Sequence, residues 1–221
     1  LADAPGKIPE KIYLARVFSV IENEIKSKDH PVILGINGID TSGKTWFSEE
    51  LAQFLSCRGY SPVVLHLDDF HHPKSIRYKD MSPSGYINYS FDLDKLCDVL
   101  TAAKERQTGR EFTLLDLDTD NYSKTLRLTV SDNTIIIVEG VLLYRPPADS
   151  FFDYRIYLDI DKDTLFHRAK LRDVPKYGEE FLKKYTSRYI PAHEIYEKAF
   201  HPKEKCNLII DNNNWNKPRI V

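Results

Sequence analysis

Residues 38 to 45 read GIDTSGKT, two glycines around a short polar bend, closed by Lys44 and Thr45. The spacing G-x-x-x-x-G-K-[ST] lets successive backbone N–H groups face one anion. Gly38 and Gly43 permit the curl, Asp40, Thr41 and Ser42 form the bend, and a helix starting near Lys44 adds its positive end. Lys44 is then placed to reach the β- and γ-phosphates of a nucleoside triphosphate, with the Thr45 hydroxyl ready to ligate Mg²⁺ between them. A bare glycine turn is the plain alternative. The motif lies between a strand pattern and a helix pattern, as its chemistry requires, and that decides for triphosphate binding.

A second stretch, HLDDFHHP at 66 to 73, ends another apolar run. A carboxylate from Asp68 or Asp69 at the strand's carboxyl end can accept the proton of an alcohol attacking a γ-phosphate and can touch Mg²⁺ as well. His71 and His72 are adjacent, and neighbours in extended chain point to opposite sides, which disfavours a two-histidine metal site. A polar turn is the bland reading of the whole stretch. Glu139 follows TIIIV, and a lone acid there is costly to bury without a cation or a donor, unless it stands in a solvated turn. Arg168 and Arg172 lie four apart in TLFHRAKLRD and share one helical face. They can close on phosphates, or they can form an ordinary solvated face.

The irregular middle of the chain supplies the candidates for holding whatever receives the phosphate: His71, Arg77, Tyr78, Tyr86, Phe91, Asp92, Asp116 and Tyr122. Aromatics there can stack on a base or cover a sugar, and aspartates can accept hydroxyl hydrogen bonds. Each has a local alternative: Asp92 as a helix cap, the tyrosines as half-buried sheet residues.

The elements that must position these groups follow from the apolar pattern. Residues 8 to 28 carry Ile12, Leu14, Val17, Phe18 and Ile21 at helical spacing. PVILGING, SPVVLHLDDF, NTIIIVEGVLL, FFDYRIYLDI and CNLIIDN read as five strands, the first four as buried runs, with a helix over 44 to 58. Such runs alternating with helices imply an α/β fold, a parallel sheet covered on both faces, with binding at the carboxyl ends of the strands. Residues 74 to 131 break the rhythm: a turn-rich KDMSPSGYINYS, a helix over about 92 to 107, then two extended segments that read as an antiparallel excursion. The basic stretch 179 to 196 reads as a helix with a boundary or kink at Pro191.

With 221 residues, 42% hydrophobic and 29% charged, the chain suits one globular domain. Its net charge of -2 argues against a nucleic-acid partner. Cys57, Cys97 and Cys206 are widely spaced, which suggests neither a disulfide framework nor a zinc site and fits a reducing, cytoplasmic setting. No apolar run is long enough to span a bilayer, and LADAPGKIPEKIY lacks the apolar core of a signal peptide, so no membrane partner is expected. A homo-oligomer stays open.

Taken together, GINGIDTSGKT, LDDFHHP, IIIVEGVLL, HRAKLRD with a following YG, and RYIPAHEIY resemble the uridine kinase and phosphoribulokinase family of P-loop kinases, which includes pantothenate and nicotinamide riboside kinases. The similarity spans about residues 31 to 211. It implies a P-loop NTPase-type three-layer fold with a five-stranded parallel sheet. It further implies Asp68 as general base with Asp69 a neighbour, Glu139 holding Mg²⁺ through water with Thr45 and Asp68, and Arg168 and Arg172 on a phosphate-closing lid helix. The expected organisation is a single kinase domain over 1–221: an N-terminal helix (1–30), phosphate loop and base element (31–73), acceptor-binding excursion (74–131), then acidic strand, lid and last strand (132–221).

The expected activity is transfer of the ATP γ-phosphate, with Mg²⁺, to a hydroxyl of a small-molecule acceptor, a nucleoside first, with GTP as donor left open. Pantothenate, nicotinamide riboside and sugar acceptors, or a regulatory P-loop ATPase, are the alternatives. Uridine kinases hold the pyrimidine with a YDF...H stretch; the nearest match here, LDLDTDNY, has Leu115 for the Tyr and no His, which weakens uridine specifically. DDFHHP and the later SFD also resemble the pantothenate kinase pattern, in a chain short for that enzyme. A switch ATPase would be expected to carry an N-K-x-D element, and none is present.

Overall fold

The computed structural model describes residues 7–221, with side chains from Ile12 onward. Helix α1 (Lys7–Ile25) precedes β1 (Val32–Asn37), α2 (Lys44–Ser56) and β2 (Ser61–His66). Then come α3 (Lys74–Arg77), α4 (Pro83–Tyr89), α5 (Leu93–Lys104) and the hairpin β3 (Glu111–Asp116) and β4 (Asn121–Arg127). β5 (Thr134–Gly140), β6 (Tyr154–Asp159), α6 (Lys162–Tyr177), α7 (Leu182–Lys184), α8 (Ile190–Phe200), β7 (Leu208–Asp211) and β8 (Arg219–Ile220) complete the chain.

The main sheet runs β2-β5-β1-β6-β7-β8. Its first five strands are parallel and β8 pairs antiparallel with β7, so the parallel core has the five strands expected plus one short edge strand that the sequence did not announce. β1 and β5 are buried along their whole length, which explains why they read as unbroken apolar runs. Alternate residues feed two cores. Ile33, Ile136 and Val138 face the side covered by α5, whereas Leu34, Ile36, Ile135 and Ile137 pack with α1 and α2. The three layers follow directly.

Four local expectations are corrected. β2 is an edge strand, only partly buried, because β5 covers it from one side alone; it ends at His66, and Leu67–Phe70 form a 3-10 turn in place of further strand. The turn-rich stretch contains α4, started by the Ser82 hydroxyl accepting from Gly85 N with Pro83 next in line. Residues 179 to 196 are not one helix but a 3-10 turn, α7, a π-turn (Tyr185–Tyr189) and α8, with Pro191 in the first turn of α8, where its missing N–H costs no hydrogen bond. Ile12 is exposed; α1 buries Leu14, Val17, Phe18, Ile21 and Ile25 instead. The antiparallel excursion is the separate β3–β4 pair, whose irregularity at Leu114/Leu115 turns both leucines inward.

Strand register delivers the chemistry. Asn37 pairs Gly140, His66 pairs Glu139 and Asp159 pairs Asp211, so the carboxyl ends of five strands share one edge.

Candidate active site

The phosphate loop joins β1 to α2 at that edge. A Cβ on Gly38 would sit 2.5 Å from the Leu158 carbonyl oxygen, so only glycine fits there. Gly43, at φ 92°, caps α2 without a side chain, which leaves the first-turn N–H groups free for an anion. The loop is held from outside: Asn212 Nδ2 donates to the Ser42 carbonyl at 2.6 Å, and the Thr41 hydroxyl donates to the Leu165 carbonyl at 3.2 Å. Lys44 is only 8% exposed, and its ammonium has one partner, the Ile39 carbonyl at 2.9 Å. Burial lowers its pKa, against the pull of Asp40, Glu139 and Asp68. Two of its three donors are left for a phosphate.

Glu139, next to the last residue of β5, is buried, and its carboxylate accepts from the Thr45 hydroxyl at 3.0 Å and from His66 Nδ1 at 2.8 Å. The His66 hydrogen bond raises that imidazole's pKa in spite of its partial burial. The acid therefore has the donors that its burial demands.

Asp68 and Asp69 separate cleanly. Asp69 is tied to Lys124 of β4 at 2.5 Å, whereas the Asp68 side chain opens into the cleft above the loop. Crowding by protein around Asp68 raises its carboxyl pKa, with Glu139 and Asp40 adding to the effect and His71 and Lys44 opposing it. The His71 imidazole donates from Nδ1 to the Asp68 carbonyl at 2.7 Å and sits tilted against Phe91 with ring centres 4.5 Å apart, while burial lowers its pKa. Among the described residues no three His, Cys, Asp or Glu side chains form a metal cage. The oxygens of Thr45, Asp68 and Glu139 still suit Mg²⁺, which takes one or two carboxylates and fills the rest with phosphate and water.

Two clefts meet here. One, of about 440 Å³, is lined by Lys44, Thr45, Glu139, Trp46, Arg168 and Trp215. The other, of about 490 Å³, is lined by His71, Arg77, Tyr78, Tyr86, Arg188 and Tyr189. Asp40, Asp68 and Arg172 line both. Arg168 donates to the carbonyls of Thr41 (3.1 Å), Asn212 (2.7 Å) and Asn213 (3.1 Å), its guanidinium 5.1 Å from the Trp215 ring centre. Arg172 holds buried Asp173 (2.9 Å) and the Tyr185 hydroxyl (2.8 Å).

Of the eight acceptor candidates, His71, Arg77, Tyr78 and Tyr86 line the second cleft. The other four stand off it, each for a local reason. Phe91 packs beneath His71 and Tyr86; Asp92 caps α5 by accepting from Lys95 N at 2.9 Å; Asp116 accepts from Asp118 N and Thr119 N in the hairpin turn; Tyr122 lies on exposed β4 under Lys95. Sequence reasoning missed His66, Tyr185, Arg188, Tyr189, Asn212 and Trp215. Trp215, an aromatic in the polar run NNNWN, carried a readable signal. Arg188 looked like any basic helix residue.

The sequence profile described as "Phosphoribulokinase / Uridine kinase family" matches residues 33–214. "Uridine-cytidine kinase B" of Dictyostelium discoideum is 28% identical over 183 residues, 79% of this chain and 72% of that protein. "Uridine kinase" of Leuconostoc citreum is 27% identical over 184 residues, 81% of this chain and 87% of that protein. Among solved structures, a "Possible Uridine Kinase" from Bacillus stearothermophilus superposes with a TM-score of 0.70 at 26% identity, covering 90% of this chain and 97% of that one. A Silicibacter protein described as a "putative fructose transport system kinase", at 18% identity and a TM-score of 0.65, shares the fold.

Proposed function

Because the chain belongs to the phosphoribulokinase / uridine kinase family, we propose that it transfers the γ-phosphate of ATP to a hydroxyl of a small molecule, with nucleosides the first acceptor class to test. The observation that carries this reading is that Asp68 lines both clefts, so one carboxylate borders the phosphate loop on one side and a cleft lined by tyrosines and arginines on the other.

ATP lies with its β- and γ-phosphates in the N–H cradle of Gly38 to Thr45, and Lys44 completes its hydrogen bonds on them. Trp215 and Arg168 offer a flat surface for the base. Thr45, Asp68 and Glu139 would hold Mg²⁺, which would neutralise charge on the phosphates. The acceptor hydroxyl faces Asp68, which takes its proton as the oxygen bonds to the γ-phosphorus; the bond from that phosphorus to the β,γ-bridging oxygen breaks and ADP departs. The raised pKa of Asp68 makes it a stronger base than an ordinary carboxylate. Arg172, reaching both clefts, neutralises charge on the group in transit. His66 orients Glu139 toward Thr45.

A second reading keeps the reaction and changes the acceptor to another of this family's kind, such as a sugar or an acid. It is favoured by Leu115 standing where uridine kinases carry a tyrosine, and by the guanidiniums of the acceptor-side cleft. The test is ATP consumption with Mg²⁺ across uridine, cytidine, nicotinamide riboside, pantothenate and simple sugars, with an acceptor-free control. Acceptor-dependent ADP release is the expected result. Equal release in every well, including the control, would replace the kinase by a hydrolase.

A further inference from the structure

Resting on the phosphotransfer reading, we propose that the acceptor carries an anionic group, a carboxylate or a phosphate ester, which docks on Arg188 while a hydroxyl of the same molecule faces Asp68.

Arg188 lies in the π-turn Tyr185–Tyr189, lines the acceptor-side cleft and is only 5% exposed. Its polar contacts are all uncharged: Nη1 approaches Met81 Sδ at 3.5 Å, and Nη2 donates to the carbonyls of Arg77 (3.2 Å) and Asp80 (3.4 Å). Nε–H is buried and has no partner. The Tyr86 and Tyr78 ring centres lie 5.3 and 5.9 Å from the guanidinium carbon. Among the described residues no carboxylate comes within 4.0 Å of it. The nearby acid, Asp80, is turned to Ser82 N and Oγ, at 2.8 Å each.

The other arginines of this cleft differ. Arg77 is paired with Asp120 at 3.4 Å and Arg172 with Asp173 at 2.9 Å. Arg188 alone among the three has no salt-bridge partner, and Asp80, whose carboxylate feels its charge, spends its hydrogen bonds on Ser82. A guanidinium does not escape burial by losing its proton, so its charge is costly until an anion meets it, and its planar fork fits a carboxylate or a phosphate. A neutral hydroxyl or carbonyl would satisfy one donor and leave the charge unmet. Asp40 and Asp68 in the same cleft repel an anion, which turns the acceptor's anionic group toward Arg188 and its hydroxyl toward the base.

The test fills the phosphate loop with Mg²⁺ and β,γ-imido-ATP, then titrates matched pairs calorimetrically: D-glycerate against glycerol, D-ribose 5-phosphate against D-ribose, and uridine 5′-monophosphate against uridine. At least one anion should bind roughly tenfold or more tightly than its neutral partner, the size expected of a charged hydrogen bond. Arg188→Met should abolish that preference and Arg188→Lys should keep part of it. The glycerate and phosphate arms decide between the two anions. Anions binding no better than their neutral partners, or a preference that survives in Arg188→Met, would overturn the inference. The same pairs assayed for ATP consumption separate the two readings. Anion preference without turnover on any acceptor would sink the kinase and leave the site. Uridine turned over at least as well as its monophosphate, and equally by Arg188→Met, would sink the anion site and leave the kinase.

Discussion

Replacing Asp68 by asparagine keeps the side chain's size and removes only its charge and basicity. The turn that carries it is pinned independently, by Asp92 N donating to the Phe70 carbonyl (2.7 Å), His72 N to the Ser90 carbonyl (2.9 Å) and Lys124 on Asp69. Because burial and the neighbouring Asp40 and Glu139 raise the Asp68 pKa, its ionised form weakens the fold, so Asp68→Asn should leave unfolding stability unchanged or raised. A positioned base contributes roughly a hundredfold to ten-thousandfold, so turnover at saturating ATP and acceptor should fall on the order of a hundredfold or more. At about 1.36 kcal/mol per decade, that is at least about 2.7 kcal/mol of barrier. The base works ionised, and its folded pKa is raised. The wild-type kcat/KM for acceptor should therefore decline as falling pH protonates that carboxylate, and Asp68→Asn should lack that limb. The assays are initial rates across pH, calorimetric ATP binding and thermal unfolding. A turnover within about tenfold of wild type with ATP bound normally would refute the reasoning, since no positioned base is so dispensable.

Lys44→Ala should lose turnover and triphosphate affinity while the unfolding temperature holds, because the buried ammonium hydrogen-bonds a carbonyl and forms no salt bridge among the described residues; unfolding with affinity retained would contradict this. Asp92→Ala should cost about 1 kcal/mol of stability through the lost cap and leave the acceptor KM unchanged. A raised KM at unchanged stability would return Asp92 to the acceptor site. Glu197 is held down to about 2 by His193 (3.5 Å), the Tyr157 hydroxyl (2.9 Å) and Lys203 (3.5 Å), against its partial burial. A lowered folded pKa means stability present above the ordinary glutamate value and lost as pH falls from there toward 2, so Glu197→Gln should flatten the fall of unfolding temperature with acid over that window. An equally steep fall in the variant would place the acid sensitivity elsewhere.

By itself the sequence determined the pieces whose physics is local. GIDTSGKT carries its own anion cradle in eight consecutive residues, and β1 and β5 announce themselves because strands buried on both faces must be apolar throughout. From these the α/β class, the parallel sheet and the family likeness were all legible. What only the tertiary structure decided are choices among chemically equal neighbours. Asp68 and Asp69 look alike until Lys124, 55 residues beyond Asp69, takes one of them. Asp92, Asp116 and Tyr122 look like acceptor ligands until a helix N-terminus, a hairpin turn and an exposed strand absorb them. His66 meets Glu139 across 73 positions through the pairing of β2 with β5, and Arg188 reaches Arg77 across 111 through a π-turn that no periodicity foretells. Backbone preference and apolar patterning are set by near neighbours, whereas the partner of a charged side chain is set by strand order and register, which exist only once the sheet has closed.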